Sequence, residues 1–180
     1  MTTEKTYQFY GIDAKTELRI GIIAGINALL IMAICPFIYL KFFTKQDNIP
    51  IGIFWLIILL ALIWVSVIMK FLGKKYTKLW ELRKLSDKLI IKYGEIIHEI
   101  LLDDITKVKV LGSTNFRYLT IVYKLEAIKI RVGASSLTPF SRQGDVQKID
   151  SFIRQELIPY LNKNFTKKDK HPFLGIYIKN

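Results

Sequence analysis

The sequence predicts a membrane-spanning α-helical hairpin followed by a small α+β domain. In that domain a strongly curved antiparallel sheet, or partial barrel, of about seven strands is capped by a C-terminal helix. Three observations predict it. Two charge-free apolar runs stand side by side near the N-terminus, residues 78–133 break into short β-rich runs at turn-forming residues, and residues 145–163 switch to helical spacing.

The hairpin comes first. A chain of 180 residues that is 51% hydrophobic is too apolar for an ordinary soluble domain carrying 27 Lys and Arg, unless the apolarity is concentrated. It is. Between Arg19 and Lys41 lies "IGIIAGINALLIMAICPFIYL", and between Asp47 and Lys70 lies "NIPIGIFWLIILLALIWVSVIM", both without a charge. Each is long enough to cross a hydrocarbon core of about 30 Å. The link "KFFTKQD" is too short for anything but a hairpin, and the second span so close behind the first excludes a cleaved signal peptide.

Tyr39, Phe42 and Phe43 at one end, with Tyr76 and Trp80 at the other, are placed as interfacial aromatics. Asn27 is expected to bond to the partner helix, and Pro36 to kink the last turn of the first span. Two isolated polar features do not line an ion pathway. Cys35, the single cysteine, lies within this span, so there is neither a disulfide framework nor a cysteine metal motif.

Charge sets the expected orientation. Lys70, Lys74, Lys75, Lys78, Arg83 and Lys84 follow the second span, against Lys41 and Lys45 in the link. The positive-inside rule then puts both termini in the cytoplasm. The chain divides into an N-terminal segment (1–18), the hairpin (19–72, spans about 20–40 and 48–70), a cytoplasmic domain (73–165) and a basic, then apolar, tail (166–180).

Within the domain, "KLWELRKL" (78–85) ends at Ser86-Asp87, and "KLIIKY" (88–93) ends at Gly94-Glu95. "IIHEILL" (96–102), "ITKVKVL" (105–111), "FRYLTIVYK" (116–124) and "AIKIRVG" (127–133) follow. Period-two alternation in "ITKVKV" and "IKIRV" puts apolar side chains on one face and cations on the other. Then Val146, Ile149, Phe152, Ile153, Leu157, Tyr160 and Leu161 recur at helical spacing, with Asp145 as expected N-cap and Pro159 expected to kink or fray the end. "KTYQFYGI" (5–12) either adds a strand to the sheet edge or lies at the interface, and Asp13 caps the helix behind it. "FLGIYIKN" (173–180) either forms a final strand or lies on the membrane.

The segment "LSDKLIIKYG" (85–94) followed by "ILLDDITKV" (100–108) resembles bacterial pleckstrin-homology-like (PH-like) domains. Their core pairs a Ser/Thr-Asp turn and a Leu-Ile-Ile strand with an aliphatic-Pro-Leu-Asp-x-Ile-x-x-Val stretch. Leu101 stands where that family commonly has proline, which weakens a subfamily assignment. The resemblance covers about residues 79–162, and such domains often follow a two-helix hairpin. It implies an interaction barrel in a bacterial inner-membrane protein, with no catalytic residues to carry over.

Candidate chemistry is sparse. In an extended strand His98 and Glu99 face opposite ways, and Asp103-Asp104 interrupts the alternation, as a turn does. His171 is the only other histidine, so a His-based zinc site is not expected. Ser135, Ser136 and Ser141 lack a nucleophile elbow or a nearby base, and no glycine-rich phosphate loop is present. We therefore expect no enzyme activity, cofactor or metal.

The basic residues point further. Lys74, Lys75, Lys78, Arg83 and Lys84 beside the second span, and Lys163, Lys167, Lys168 and Lys170 near the tail, are the candidate contacts for anionic headgroups or a protein partner. They serve equally to set topology. No nucleic-acid motif accompanies them. An immunity protein against a membrane-acting toxin, or an accessory subunit of a membrane complex, are the alternative functions for a small two-span chain.

Overall fold

The computed structural model describes residues 5–42, 49–133, 141–168 and 174–180. Phe43, Ser135, Ser136, Lys170 and His171 lie outside the described residues. Strand β1 (Thr6–Asp13) runs directly into α1 (Ala14–Phe42), and α2 (Ile51–Tyr76) runs into β2 (Lys78–Lys84) through Thr77. Asp13 makes the first joint: its carboxylate accepts the backbone N–H groups of Lys15 (3.0 Å) and Thr16 (3.3 Å), satisfying two donors the helix leaves free.

At 1.5 Å per residue the two helices are about 44 and 39 Å long, and both are apolar enough to cross a membrane. Their outer faces are bare: Leu29, Phe37, Trp55, Leu59 and Phe71 are each more than half exposed. Few residues are buried along them, chiefly Ile20, Ala24, Ile57 and Ala61. Asn27 does not reach across. Its amide donates to Ile23 O, four residues back on its own helix (2.8 Å).

β1 and β2 pair antiparallel from Thr6↔Arg83 to Gly11↔Lys78. They are the two arms of one β-hairpin, and both long helices are an insertion into its turn. After Gly11, β1 leaves β2 and its last residues pair with β7, Ile12↔Arg131 and Asp13↔Ile130. Glycine is needed at the switch, because a Cβ there would lie 2.7 Å from Arg131 O and 3.3 Å from the Trp80 ring.

The other strands are β3 (Lys88–Tyr93), β4 (Ile96–Leu101), β5 (Ile105–Gly112), β6 (Phe116–Tyr123), β7 (Glu126–Gly133), β8 (Phe165–Lys167) and β9 (Gly175–Lys179). They form one open antiparallel sheet in the order β4-β3-β2-β1-β7-β6-β5-β9-β8. Alternation brings Leu89 and Ile91, Leu119 and Ile121, and Ile128, Ile130 and Val132 inward. A bulge at Thr106 turns both Ile105 and Val108 inward although they are three apart.

The C-terminal helix covers this face. It comprises α3 (Asp145–Phe152), a π turn (Ile153–Leu157) and α4 (Ile158–Asn164). Ile149, Phe152, Ile153, Leu157 and Leu161 are buried, and the Tyr7 and Phe152 rings meet edge to face at 5.4 Å. Tyr160 donates its hydroxyl to Leu102 O (2.8 Å). The π turn accommodates Pro159, which lacks an N–H and would crowd the carbonyl of Gln155; Ile158 N–H bonds instead to Ile153 O. The helix therefore continues to Asn164 rather than fraying.

Several expectations are corrected. The sheet has nine strands among the described residues, not seven. β1 occupies its middle rather than an edge, because its two hydrogen-bonding sides find partner strands more than sixty residues away. Of the two alternatives for the tail the strand is the one formed: β9 pairs with β5, and β8 pairs with β9. Trp80 is not an interfacial residue: it is buried and stacked on Tyr93, centroids 4.1 Å apart. Asp103 and Asp104 do form a turn, the 3-10 segment Leu102–Asp104.

Candidate functional site

The cations singled out in the sequence do not form one patch. Lys74 and Lys75 end α2 and Lys78 opens β2, with its ammonium 5.4 Å from the Tyr93 ring. Arg83 and Lys84 lie at the opposite end of β2, about 17–20 Å along the strand at about 3.3 Å per residue. Lys163 lies near the end of α4, and Lys167 on β8 stands over Tyr177 at 5.6 Å, followed by Lys168. Strand β8 is the sheet edge farthest from β4.

The structure gathers Lys74 with Lys70, which precedes it on the same helix, and with Arg142, which the sequence did not group with it. Lys70, Lys74, Thr77, Tyr10, Ser141 and Arg142 line a pocket of about 400 Å³ where α2 meets the sheet. Lys70 and Lys74 are one helical turn apart, a spacing visible in the sequence. Arg142 arrives from the segment before α3, and its guanidinium lies 3.8 Å from the centroid of the Tyr10 ring. Burial of Asp145 holds this arrangement. Its carboxylate is not the helix cap; Gly144, in the left-handed region, takes that position. Asp145 instead accepts the backbone N–H of Arg142 (2.7 Å) and of Tyr10 (3.1 Å), and pairs with Lys148 (3.3 Å). One buried carboxylate thus ties the Arg142 turn to β1.

A second recess follows from the switch at Gly11. β1 shares six residue pairs with β2 but only two with β7, so the sheet halves diverge and leave a cleft of about 580 Å³. Asp13, Trp80, Tyr93, His98, Tyr123 and Glu126 are among its walls. The buried indole N–H of Trp80 has no hydrogen-bond partner among the described residues. Tyr123 donates to Glu126 (2.6 Å), and its oxygen lies 3.4 Å from His98 Nδ1.

Burial, then the Glu126 carboxylate, pushes the Tyr123 hydroxyl up to about 12, so it remains a donor at neutral pH. Tyr7 is also raised to about 12, first by burial and then by Glu156. Both raised phenols favour the fold fully below their unfolded value near 10, and that contribution disappears as pH rises toward 12. Stability should therefore fall across that window. Ultraviolet tyrosine titration should show late-ionising phenols, Tyr7 and Tyr123 among them, and Tyr123 should ionise earlier in Glu126→Gln.

The hairpin is fastened to the sheet on its outer side. Glu17 on α1 forms an ion pair with Arg131 on β7, and Tyr118 on β6 donates to both Glu17 oxygens at 3.3 Å. Burial lowers the Arg131 pKa, and the carboxylate beside it supplies the countercharge. Ile20 packs with Ile12, Met69 and Leu72 at the same joint.

Among the described residues, no group of three or more His, Cys, Asp or Glu side chains is placed to hold a metal. Asp104 pairs with Lys124 at 3.1 Å, and Asp103 O accepts from Lys179 (2.5 Å). No protein-family model, curated protein or solved structure matches this chain.

Proposed function

We propose that this chain is a two-span membrane protein whose cytoplasmic PH-like domain is a non-catalytic interaction module, held at the headgroup layer to bind anionic lipid or a protein partner. The observation that carries this reading is the pair of long helices with bare apolar faces, inserted into the turn of a central β-hairpin. Such faces are costly in water, whereas lipid covers them without loss. The strand-to-helix joints and the Glu17–Arg131 pair leave the domain little freedom to swing away. The PH-like part is supported by the Ser-Asp turn motif, the antiparallel sheet and the C-terminal helix across it.

Binding of a protein partner has its own support. β4 is a sheet edge with Ile96, Ile97 and Leu101 each more than half exposed, and it carries neither lysine nor proline to blunt it.

Anchoring and orientation are tested together in bacterial cells. The full chain with a protease-cleavable tag after Asn180 should remain in the membrane pellet after an alkaline wash. The tag should survive protease added to spheroplasts and be cut in inverted vesicles. Release by the wash, or cleavage from outside the cell, would overturn the proposal.

A further inference from the structure

We propose that the pocket between Lys70, Lys74 and Arg142 binds the phosphate of a single anionic phospholipid headgroup. This rests on the membrane-anchored reading and assigns it a specific site, which shares only Lys74 with the candidate contacts chosen from the sequence.

Three positive side chains from two distant parts of the chain converge on one pocket, and none forms an ion pair with a described carboxylate. Leaving like charges together without a counterion is unfavourable, so the site favours an anion from outside. Its chemistry suits phosphate. Stacking on Tyr10 occupies one face of the Arg142 guanidinium and leaves its N–H edge able to make paired bonds to two phosphate oxygens. Lys70 and Lys74 supply compact ammonium groups. Ser141 Oγ accepts the Gly133 N–H (2.6 Å), which leaves its own proton to donate.

Depth selects a lipid as the source. Lys70 is the first charge after the apolar run of α2, and Lys74 lies about 6 Å further along the axis. In a membrane, that interval is where phosphates begin. The Asp145 bonds to Arg142 and Tyr10 fix the third cation before any ligand arrives, so little ordering is needed on binding.

The test uses the full chain, purified in mild detergent and examined by native mass spectrometry with phosphatidylglycerol or phosphatidylcholine at equal concentration. One phosphatidylglycerol should remain per chain, held about tenfold more tightly than phosphatidylcholine. The double variant Lys74→Gln/Arg142→Gln should lose this preference. Lys75→Gln, one residue away but outside the pocket, should keep it. Equal retention of the two lipids, or an unchanged preference in the double variant, would overturn the site. Displacement of the lipid by excess inorganic phosphate would overturn the lipid assignment, and resistance to it supports a headgroup. Thermal unfolding of each variant checks that the fold is intact. Membrane fractionation of the double variant separates the two ideas: it should remain in the pellet even though the lipid preference is gone.

Discussion

Replacing residues 14–76 with a short Gly-Ser turn should yield a water-soluble, cooperatively folded domain, whereas residues 77–180 alone should not fold. The reason is the position of β1. Without it, no strand of β2-β3-β4 pairs with a strand of β7-β6-β5-β9-β8, because β1 is the strand between them. The buried Phe9 and Tyr7 side chains are lost as well. At about 1.5–3 kcal/mol for each large buried side chain, those two alone approach the lower end of a domain's total stability, roughly 5 kcal/mol. Removing the helices leaves the strand pairing whole although Arg131 loses the Glu17 carboxylate, since Gly11 and Lys78 face each other in register and a tight turn can join the arms. Near-ultraviolet circular dichroism and thermal melting distinguish the two chains. Equal folding of residues 77–180 would show that β1 is dispensable.

In that soluble form, Asp150→Ala should lower stability by about 3–5 kcal/mol. Arg117 occupies an inward position on β6 and is only 3% exposed, yet it carries a permanent charge. Asp150 on α3 meets it with two bonds, 2.6 and 2.7 Å, in the paired geometry that guanidinium and carboxylate favour. Removing the carboxylate leaves a cation between sheet and helix without that partner. Removing both charges together, as Arg117→Met/Asp150→Leu, should cost much less, because the desolvation of the pair disappears with it. Urea unfolding of Arg117→Met, Asp150→Leu and the double variant gives the coupling directly. Additive losses would mean that the pair does not act as a unit.

Much of the fold was legible because its signals are local. Two uninterrupted apolar runs gave the long helices, and β2 to β7 follow from period-two alternation broken at Ser86-Asp87, Gly94-Glu95 and the Asp103-Asp104 turn. What failed was whatever depends on distant partners. "TYQFYGID" has no neighbour in sequence to pair with, so nothing local marks it as the central strand. Trp80 follows a helix of membrane-spanning length and resembles an interfacial residue until Tyr93 covers it. Asp145 has the form of a helix cap, yet its real partners include Tyr10, 135 residues earlier. The Lys70–Lys74–Arg142 grouping was hidden for the same reason. Proximity in sequence grouped Lys74 with Lys75 and Lys78, while folding groups it with Arg142.

The insertion of the helices between β1 and β2 also imposes an order on biosynthesis. β1 leaves the ribosome first, but β7, whose pairing completes its setting, ends 120 residues after Asp13. At about 5–20 residues per second, that is a wait of roughly 6–24 s. Until β2 is made Tyr7 and Phe9 have no strand to pair with, and until β7 is made the two halves of the sheet stay unjoined. On the membrane-anchored reading, α1 and α2 must meanwhile find the bilayer. The middle of the sheet is thus the first part made and among the last completed. A delay in membrane delivery would prolong the exposure of an apolar strand, and demand on chaperones should rise with it.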